Sequence, residues 1–358
     1  MRILHVVNDA QTGGAQTLIE ALGRQKNPAD EIHLLVLMGE GSLSPRFAEI
    51  ADTVSYVGMS RRDIIPLRAI RTLRRIIREQ RIDLVHSHLM QSDLMSLLTP
   101  GRAIRVSTVH SSASYETRGA SHLVRRLVAK FSGRFDAVVA CSPSALEYIR
   151  SLGYHLEPSV ILNGTQLGDW SAENGAESQR FVHLGRWHVV KDHNNLFAAL
   201  SLLLKDYPEA KLDCAGLGLE ADNPEVAELL QRHKLSEEVT LHGSVSNVKL
   251  LFDESRAMVI SSSHEALPMS GIEALSSGLP VVTTNVGDCP ELAIGPEYLV
   301  ERSNPEQLAA AMRKTLELSS REYRRSREEA RARAEERFDE RVTAQNYRKL
   351  YESLLPSS

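Results

Sequence analysis

Ala257-Met-Val-Ile-Ser-Ser-Ser-His-Glu-Ala-Leu-Pro-Met-Ser-Gly-Ile-Glu-Ala-Leu-Ser-Ser-Gly-Leu-Pro-Val-Val-Thr283 is the stretch from which the fold can be read. Ala257 to Ile260 is a short apolar run of the kind that forms a buried strand. Polar Ser261 to His264 follow, then the carboxylate of Glu265, then Pro268, suited to the first position of a helix. The helix is expected to run to about Ser277, stop at Gly278 and hand over to a second strand from Leu279. In an open parallel sheet, ligands bind beyond the strand's carboxyl end, facing a helix N-terminus. The N–H groups there suit a phosphate, and two carboxylates, Glu265 and Glu273, suit hydroxyls. The stretch predicts a ligand that carries both phosphate and sugar.

Working outward, the same alternation fills the chain. Strands are predicted at 2–7, 32–38, 53–57, 83–87, 104–110, 136–141 and from 160. Helices lie between them at 15–24, 43–51, 64–79, 91–98, 119–132 and 143–152, the last capped by Ser142 with Pro143 behind it. Residues 165–179 are polar and aperiodic and read as a linker. A second series follows, with strands near 181–184, 210–215, 239–242, 257–261, 280–284 and 298–300. Its helices fall near 192–205, 224–233, 247–254, 268–277 and 305–318. Such alternation predicts an α/β protein with two doubly wound parallel-sheet domains, 1–168 and 169–339, facing a cleft. The charged segment 321–337 is helix-forming. Apolar residues of 338–355 recur at helical spacing, and helix 340–356 is expected to pack back onto the first domain.

Composition limits the function. The chain has 358 residues, 42% of them hydrophobic, and a formal net charge of −4, which argues against a nucleic-acid binder. The balance is positive over residues 1–164 and negative beyond. Cys141, Cys214 and Cys289 are scattered without metal-like spacing, which reads as a reducing compartment. Met1 leads directly into a strand without a signal-peptide pattern, so a cytoplasmic protein is expected, with any membrane contact peripheral at the inner face.

Several residues could carry chemistry. Arg186 and Lys191 follow strand 181–184 in a loop before a helix, where a guanidinium and an ammonium can clamp a diphosphate. Gly216-Leu-Gly218-Leu-Glu-Ala221 formally fits a dinucleotide fingerprint, but Leu219 to Asn223 reads as a turn. His86 and His88 alternate at a strand end as a metal pair might; without matching carboxylates, cleft lining or strand-end polarity is the preferred reading. His5, His33, His183 and His242 read as core or edge residues. The helix over 61–81 presents Arg61, Arg62, Arg68, Arg71, Arg74, Arg75, Arg78 and Arg81 on one face. It reads equally as a solvated surface or, with Arg118, Arg125, Arg126, Lys130 and Arg134, as a docking face for anionic lipid.

Taken in order, these motifs resemble those of the family 4 retaining glycosyltransferases. Thr12-Gly13-Gly14-Ala15 is similar to the family's glycine loop, and His110 in Ser-Thr-Val-His-Ser resembles its active-site histidine. Gly185-Arg186 with Lys191, and Glu265 with Glu273 ahead of Gly278-Leu-Pro-Val-Val, resemble its donor site. The resemblance spans nearly the whole chain and implies the two-domain GT-B fold, with the acceptor on the first domain and the donor on the second.

It also implies transfer of a sugar, with retention, from a nucleotide-diphosphate donor to a glycan or lipid-linked acceptor, without metal or other cofactor. By position, Arg186 and Lys191 would bind the diphosphate and stabilise charge on the leaving nucleotide. Glu273 would hold the ribose hydroxyls and Glu265 those of the transferred sugar. Backbone N–H groups from Leu267 through Met269 and Ser270 to Gly271 would face phosphate or sugar, His110 would meet the sugar, and Gly13-Gly14 would admit close backbone approach. Ala266 stands where the family usually has glycine, and Met269-Ser270-Gly271 replaces an aliphatic run, so the donor stays open. Two rivals are an epimerase of the same fold, which would need no acceptor, and a non-catalytic scaffold subunit. The base, sugar, acceptor and linkage are not specified by these residues.

Overall fold

The computed structural model describes residues 1–60, 67–110, 120–168, 170–171, 174–245 and 247–355. Arg61, Arg62 and Arg118 of the expected basic face lie outside them. The chain forms two compact units, Met1–Thr165 with Glu340–Ser358, and Gln166–Asp339.

The first unit is built on a seven-stranded sheet: β1 (Arg2–Val7), β2 (Glu31–Val36), β3 (Thr53–Tyr56), β4 (Leu84–His88), β5 (Ile104–Val109), β6 (Ala137–Ala140) and β7 (Ser159–Val160). The order is β3-β2-β1-β4-β5-β6-β7, parallel throughout. Helices cover its faces, so the central strands are apolar runs rather than alternating ones. Leu4, Val6, Leu35 and Val85 pack with Leu73 and Ile76 of the helix Leu67–Glu79. The exception is polar: His5, His86, Ser87, His88, Ser107 and Thr108 are buried in the middle of this sheet.

The C-terminal helix Glu340–Leu354 belongs to this unit, where Ala344, Tyr347 and Tyr351 pack with Ile3, Leu18, Leu84 and Val106. It is pinned by Arg24 to Glu340 at 2.6 Å and by Arg348 to Asp30 at 2.8 Å. Its apolar spacing is therefore a packing stripe, with the tyrosine hydroxyls reaching polar groups of the sheet.

The second unit holds β8 (Arg180–Leu184), β9 (Lys211–Ala215), β10 (Val239–Gly243), β11 (Ala257–Ile260), β12 (Val281–Thr284) and β13 (Leu299–Val300). They run parallel in the order β10-β9-β8-β11-β12-β13. The connection from β8 goes to one side of the sheet, while β11 lies on its other side. The carboxyl ends of β8 and β11 therefore flank a topological switch point, the usual place for a ligand. Residues after β8 include Arg186 and Lys191; those after β11 include Glu265.

Residues 174–178, within the stretch that reads as a linker, are tied to the second unit. Asn174 donates to Asp253 at 2.8 Å and Ser178 to the Glu254 carbonyl at 2.6 Å. Lack of periodicity marked irregular backbone there, not slack. Among the described residues, no helix is long and apolar enough to cross a membrane.

Candidate active site

Gly185 follows β8, and the loop from it turns through a short 3-10 helix, Val189–Lys191, into the helix His193–Leu203. Asp192 makes the joint: it takes a left-handed conformation (φ 47°) and its carboxylate accepts from the Asn195 N–H. The loop is stitched to the residues after β11. Ser261 donates to the Lys191 carbonyl at 2.8 Å, and the Ser263 N–H donates to the Val190 carbonyl at 2.8 Å. These bonds place Lys191 over Glu265, Nζ to Oε1 at 2.5 Å, and Ser262 donates to the same carboxylate oxygen at 2.7 Å. Both partners are largely but not fully shielded, at 16% and 13% exposure. Arg186 is exposed nearby and has no ion pair with a described residue. Burial, with added positive charge at Arg186 and Lys191, lowers the pKa of His188.

Beneath this pair His183 and His193 are kept neutral by burial. His183 bonds the Val259 carbonyl at 3.0 Å, and burial lowers its pKa to about 4. Burial takes His193 to about 2, with Trp187 lying 4.7 Å from its ring. The cationic character of the site is therefore carried by Arg186 and Lys191 alone among these side chains.

The helix Met269–Ser276 carries Glu273. Pro268 is its cap, not its first residue, with ψ at 120°; a proline can close a strand-like approach as readily as open a helix. The Ser270 hydroxyl donates to the Leu184 carbonyl at 3.2 Å, tying the helix start to the end of β8. The N–H groups of Met269 and Ser270 have no intrahelical acceptor, as at every helix start. Leu267 is buried.

Gly271 departs from the expected donor contact. Its N–H bonds the Pro268 carbonyl at 3.0 Å, and a Cβ there would lie 2.4 Å from Leu292 and 3.1 Å from Ile260. Its smallness lets the helix sit against the sheet rather than admitting a ligand. Glu273 lies on the same helix, half-buried.

The carboxyl end of this helix is anchored by residues whose sequence showed only charge. Arg327 is fully buried and donates to the Ser277 carbonyl at 2.8 Å; Arg331 donates to the Ser276 carbonyl and to that of Gly168. Two guanidiniums thus satisfy and complement the negative end of the helix dipole. Gly287 was also missed. It adopts φ +53°, and a Cβ there would lie 1.9 Å from the Glu265 carbonyl oxygen, while the Asp288 N–H donates to Ala266 at 3.1 Å. The only available sequence signal was the Val286-Gly287-Asp288 turn after β12.

Gly216-Leu-Gly218 forms a turn and not a phosphate-facing helix start. Gly216 takes φ +144° against the Gly185 carbonyl, and the next helix begins only at Pro224. The dinucleotide reading is thereby removed.

Gly13, Gly14 and His110 belong to the other unit. Gly13 caps the helix Gly14–Arg24 without a side-chain bond of its own. His110 follows β5 and is partly buried; burial lowers its pKa to about 3. Its Nε2 lies 3.3 Å from His88 Nδ1, and His88 Nε2 lies 3.0 Å from His5 Nδ1. His86 bonds Tyr351 and Thr108, each at 2.7 Å. His86 and His88 are fully buried, so of the two preferred readings the cleft lining is corrected and strand-end polarity is left.

Comparison with known proteins agrees with this architecture. Residues 12–168 match the family model "Glycosyltransferase Family 4" and residues 169–335 match "Glycosyl transferases group 1". A glycogen synthase of Mycobacterium tuberculosis is 27% identical over 75% of this chain and 68% of its own length. A GDP-mannose:cellobiosyl-diphosphopolyprenol alpha-mannosyltransferase of Xanthomonas campestris is 24% identical over 82% and 81%. In structure, Anabaena HepE in complex with UDP-glucose superposes with a TM-score of 0.83 at 19% identity, covering 99% of this chain and 100% of that one.

Proposed function

This chain belongs to the family 4 glycosyltransferases of the GT-B type, and from that premise we propose that it transfers a hexose, with retention, from a nucleotide-diphosphate sugar to a saccharide or lipid-linked acceptor. The second unit binds the donor and the first the acceptor. The observation that carries this reading is the convergence of Lys191 and Glu265 at 2.5 Å, beside the start of the Glu273 helix. A cation for the diphosphate and a carboxylate for hydroxyls meet where a parallel sheet binds ligands.

On donor binding, Lys191 turns part of its charge from Glu265 to the diphosphate, and Arg186 closes on it from the solvent side. Both cations stabilise the charge that grows on the leaving nucleotide, so the reaction needs no metal. Glu265, fixed by Ser262, takes hydroxyls of the transferred sugar and favours positive character at its anomeric carbon. Glu273 takes the ribose hydroxyls; the N–H groups of Met269 and Ser270, with Leu267 before them, face phosphate or sugar. On the first unit, His110 takes a sugar hydroxyl, and Gly13 and Gly14 leave room for close backbone approach.

Thermal shift against UDP-, GDP-, ADP- and TDP-sugars tests the donor assignment: one class is expected to stabilise the protein, and none doing so would sink it. Proton NMR of the product should show the donor's anomeric configuration, and turnover should survive EDTA. Inversion would overturn the assignment of retention, and loss of activity with EDTA that of metal independence.

We also infer that the exposed arginines of the helix Leu67–Glu79 dock on the inner face of the cell membrane. Arg68, Arg71, Arg74, Arg75 and Arg78 are all exposed, and only Arg75 and Arg78 have a carboxylate, Glu79, within 4.0 Å among the described residues. Flotation with vesicles should depend on anionic lipid; binding indifferent to it would refute the docking.

A further inference from the structure

Three imidazoles stand in a hydrogen-bonded row across adjacent strands: His5 of β1, His88 at the end of β4 and His110 after β5. The links are His5 Nδ1 to His88 Nε2 at 3.0 Å and His88 Nδ1 to His110 Nε2 at 3.3 Å. The two ends of the row, His5 Nε2 and His110 Nδ1, are both buried polar atoms without a hydrogen-bond partner among the described residues. The parallel register sets the spacing, since His5 pairs with His86 and Val7 with His88, while Thr108 opposite His88 leads directly to His110.

The groups facing the row are neutral hydrogen-bonders. His86 stacks on His88 with ring centres 4.0 Å apart, and its two nitrogens bond Tyr351 and Thr108; Thr108 in turn meets Tyr347 at 2.9 Å. The buried carboxyl of the same region, Asp93, bonds Ser87 instead, on the opposite face of β4. No described carboxylate touches the row. Burial holds His5 and His110 near a pKa of about 3 and His88 well below its ordinary value, so each ring carries one proton on one nitrogen.

That condition couples the three rings. If His88 is protonated at Nε2, it donates to a bare His5 Nδ1 and must receive at Nδ1 from a His110 protonated at Nε2. All three are then Nε2–H. If His88 is protonated at Nδ1, the same argument makes all three Nδ1–H. Any mixture sets two N–H groups, or two bare nitrogens, against each other and loses a buried hydrogen bond. Of the two uniform states, Nε2–H is the tautomer that a free neutral histidine side chain prefers.

We propose that His5 and His88 are positioning residues: they hold His110 as the Nε2–H tautomer, and so keep its Nδ1 a bare acceptor for a hydroxyl of the substrate sugar. This rests on the reading of His110 as a sugar contact. The row acts as one unit, with a change at His5 felt two rings away. His5, His86 and His88 also approach closely enough to share an ion, but His86 already has an oxygen at each nitrogen.

The test is NMR of the full chain carrying 15N-labelled histidine, which reads the protonation of each ring nitrogen, together with donor KM and kcat. Near neutral pH, His5, His88 and His110 should all be protonated at Nε2 and bare at Nδ1. His88→Phe should give His110 a mixture of tautomers and lower kcat about tenfold, the worth of one hydrogen bond, with donor KM unchanged. His5→Phe should shift the same signals, and His5→Gln, whose amide oxygen can accept from His88, should restore both tautomer and kcat. If His88→Phe does not fold, the His5 pair makes the same comparison.

Unlike tautomers in the wild-type row, a charged ring, or stoichiometric zinc in the purified protein would overturn the proposal. His110→Ala separates the two levels. Unchanged transfer with a uniform wild-type row would defeat the reading of His110 as a sugar contact, and with it the purpose assigned to the row. Impaired transfer with a mixed row would defeat the row alone.

Discussion

The two units solve the same problem, a polar group at the end of a buried strand, in opposite ways. After β11 the second unit keeps formal charges, Lys191 against Glu265, at the margin of solvent. In the middle of its sheet the first unit does the opposite: burial keeps His5, His86 and His88 neutral, and the fully buried carboxyl of Asp93 is pushed up by burial to about 7. The difference follows from the cost of charge. A carboxylate and an ammonium survive near the surface because each compensates the other and water reaches both. Under a layer of helices on both faces, the same groups would cost several kcal/mol each. The sheet of the first unit therefore uses groups that can donate and accept without ionising.

The largest expected effect probes the neutral side. Asp93 is bonded to Ser87 at 2.6 Å and fully buried. With its pKa raised in the folded state, the folded protein holds a proton that the unfolded chain has released. Its penalty is absent below the unfolded value near 4, grows as pH rises, and is complete above about 7. Asp93→Asn should remove a loss on the order of 4 kcal/mol across that window. Urea unfolding at several pH values checks this, and parallel curves for the two proteins would refute it. The histidines slope the other way. His5 and His110, lowered to about 3, stabilise fully above the unfolded value of 6.5 and lose that contribution as pH falls toward 3. Asp93→Asn should therefore leave a protein whose stability falls more steeply with acid.

On the charged side, Lys191→Ala should lower kcat by roughly 10² to 10³, as for loss of one charge-stabilising donor. Glu273→Ala should instead raise the donor Kd while Glu265→Ala mainly lowers turnover, both read from initial rates and calorimetry. Equal effects of the two glutamate changes would break the division of roles.

A smaller effect is expected from Gly287→Ala, at about 1–3 kcal/mol of stability, because the left-handed backbone and the Glu265 carbonyl both oppose a Cβ. Turnover should fall with it as Glu265 shifts, and a normal kcat in the folded variant would show that Gly287 does not position Glu265. Smallest is Arg75→Ala, which breaks an exposed pair with Glu79 at 4.0 Å. It should change stability by less than about 0.5 kcal/mol. A larger loss in denaturant melts would mean that this face is not merely solvated.

Local pattern was enough for most elements. The run Ala257–Ile260 and its neighbours alternate with amphipathic helices so regularly that strand type and parallel order follow from burial on both faces. The candidate donor residues were legible for the same reason, since a strand end, a polar loop and a helix start are neighbours in the chain. Gly271 was misread because a glycine signals close approach without naming what approaches; here it is Leu292 and Ile260. Arg327 and Arg331 were read only as part of a charged helix, because nothing local links them to carbonyls some fifty positions earlier.

The histidines mark the boundary most sharply. By itself the sequence determined that His5, His86, His88 and His110 lie in or beside strands, because strand formation depends on near neighbours. Only the tertiary structure decided that His5, His88 and His110 form one row while His86 turns to Tyr351 and Thr108. Strand order and register place residues more than eighty positions apart side by side, and a hydrogen bond is specified by that distance and angle rather than by residue type.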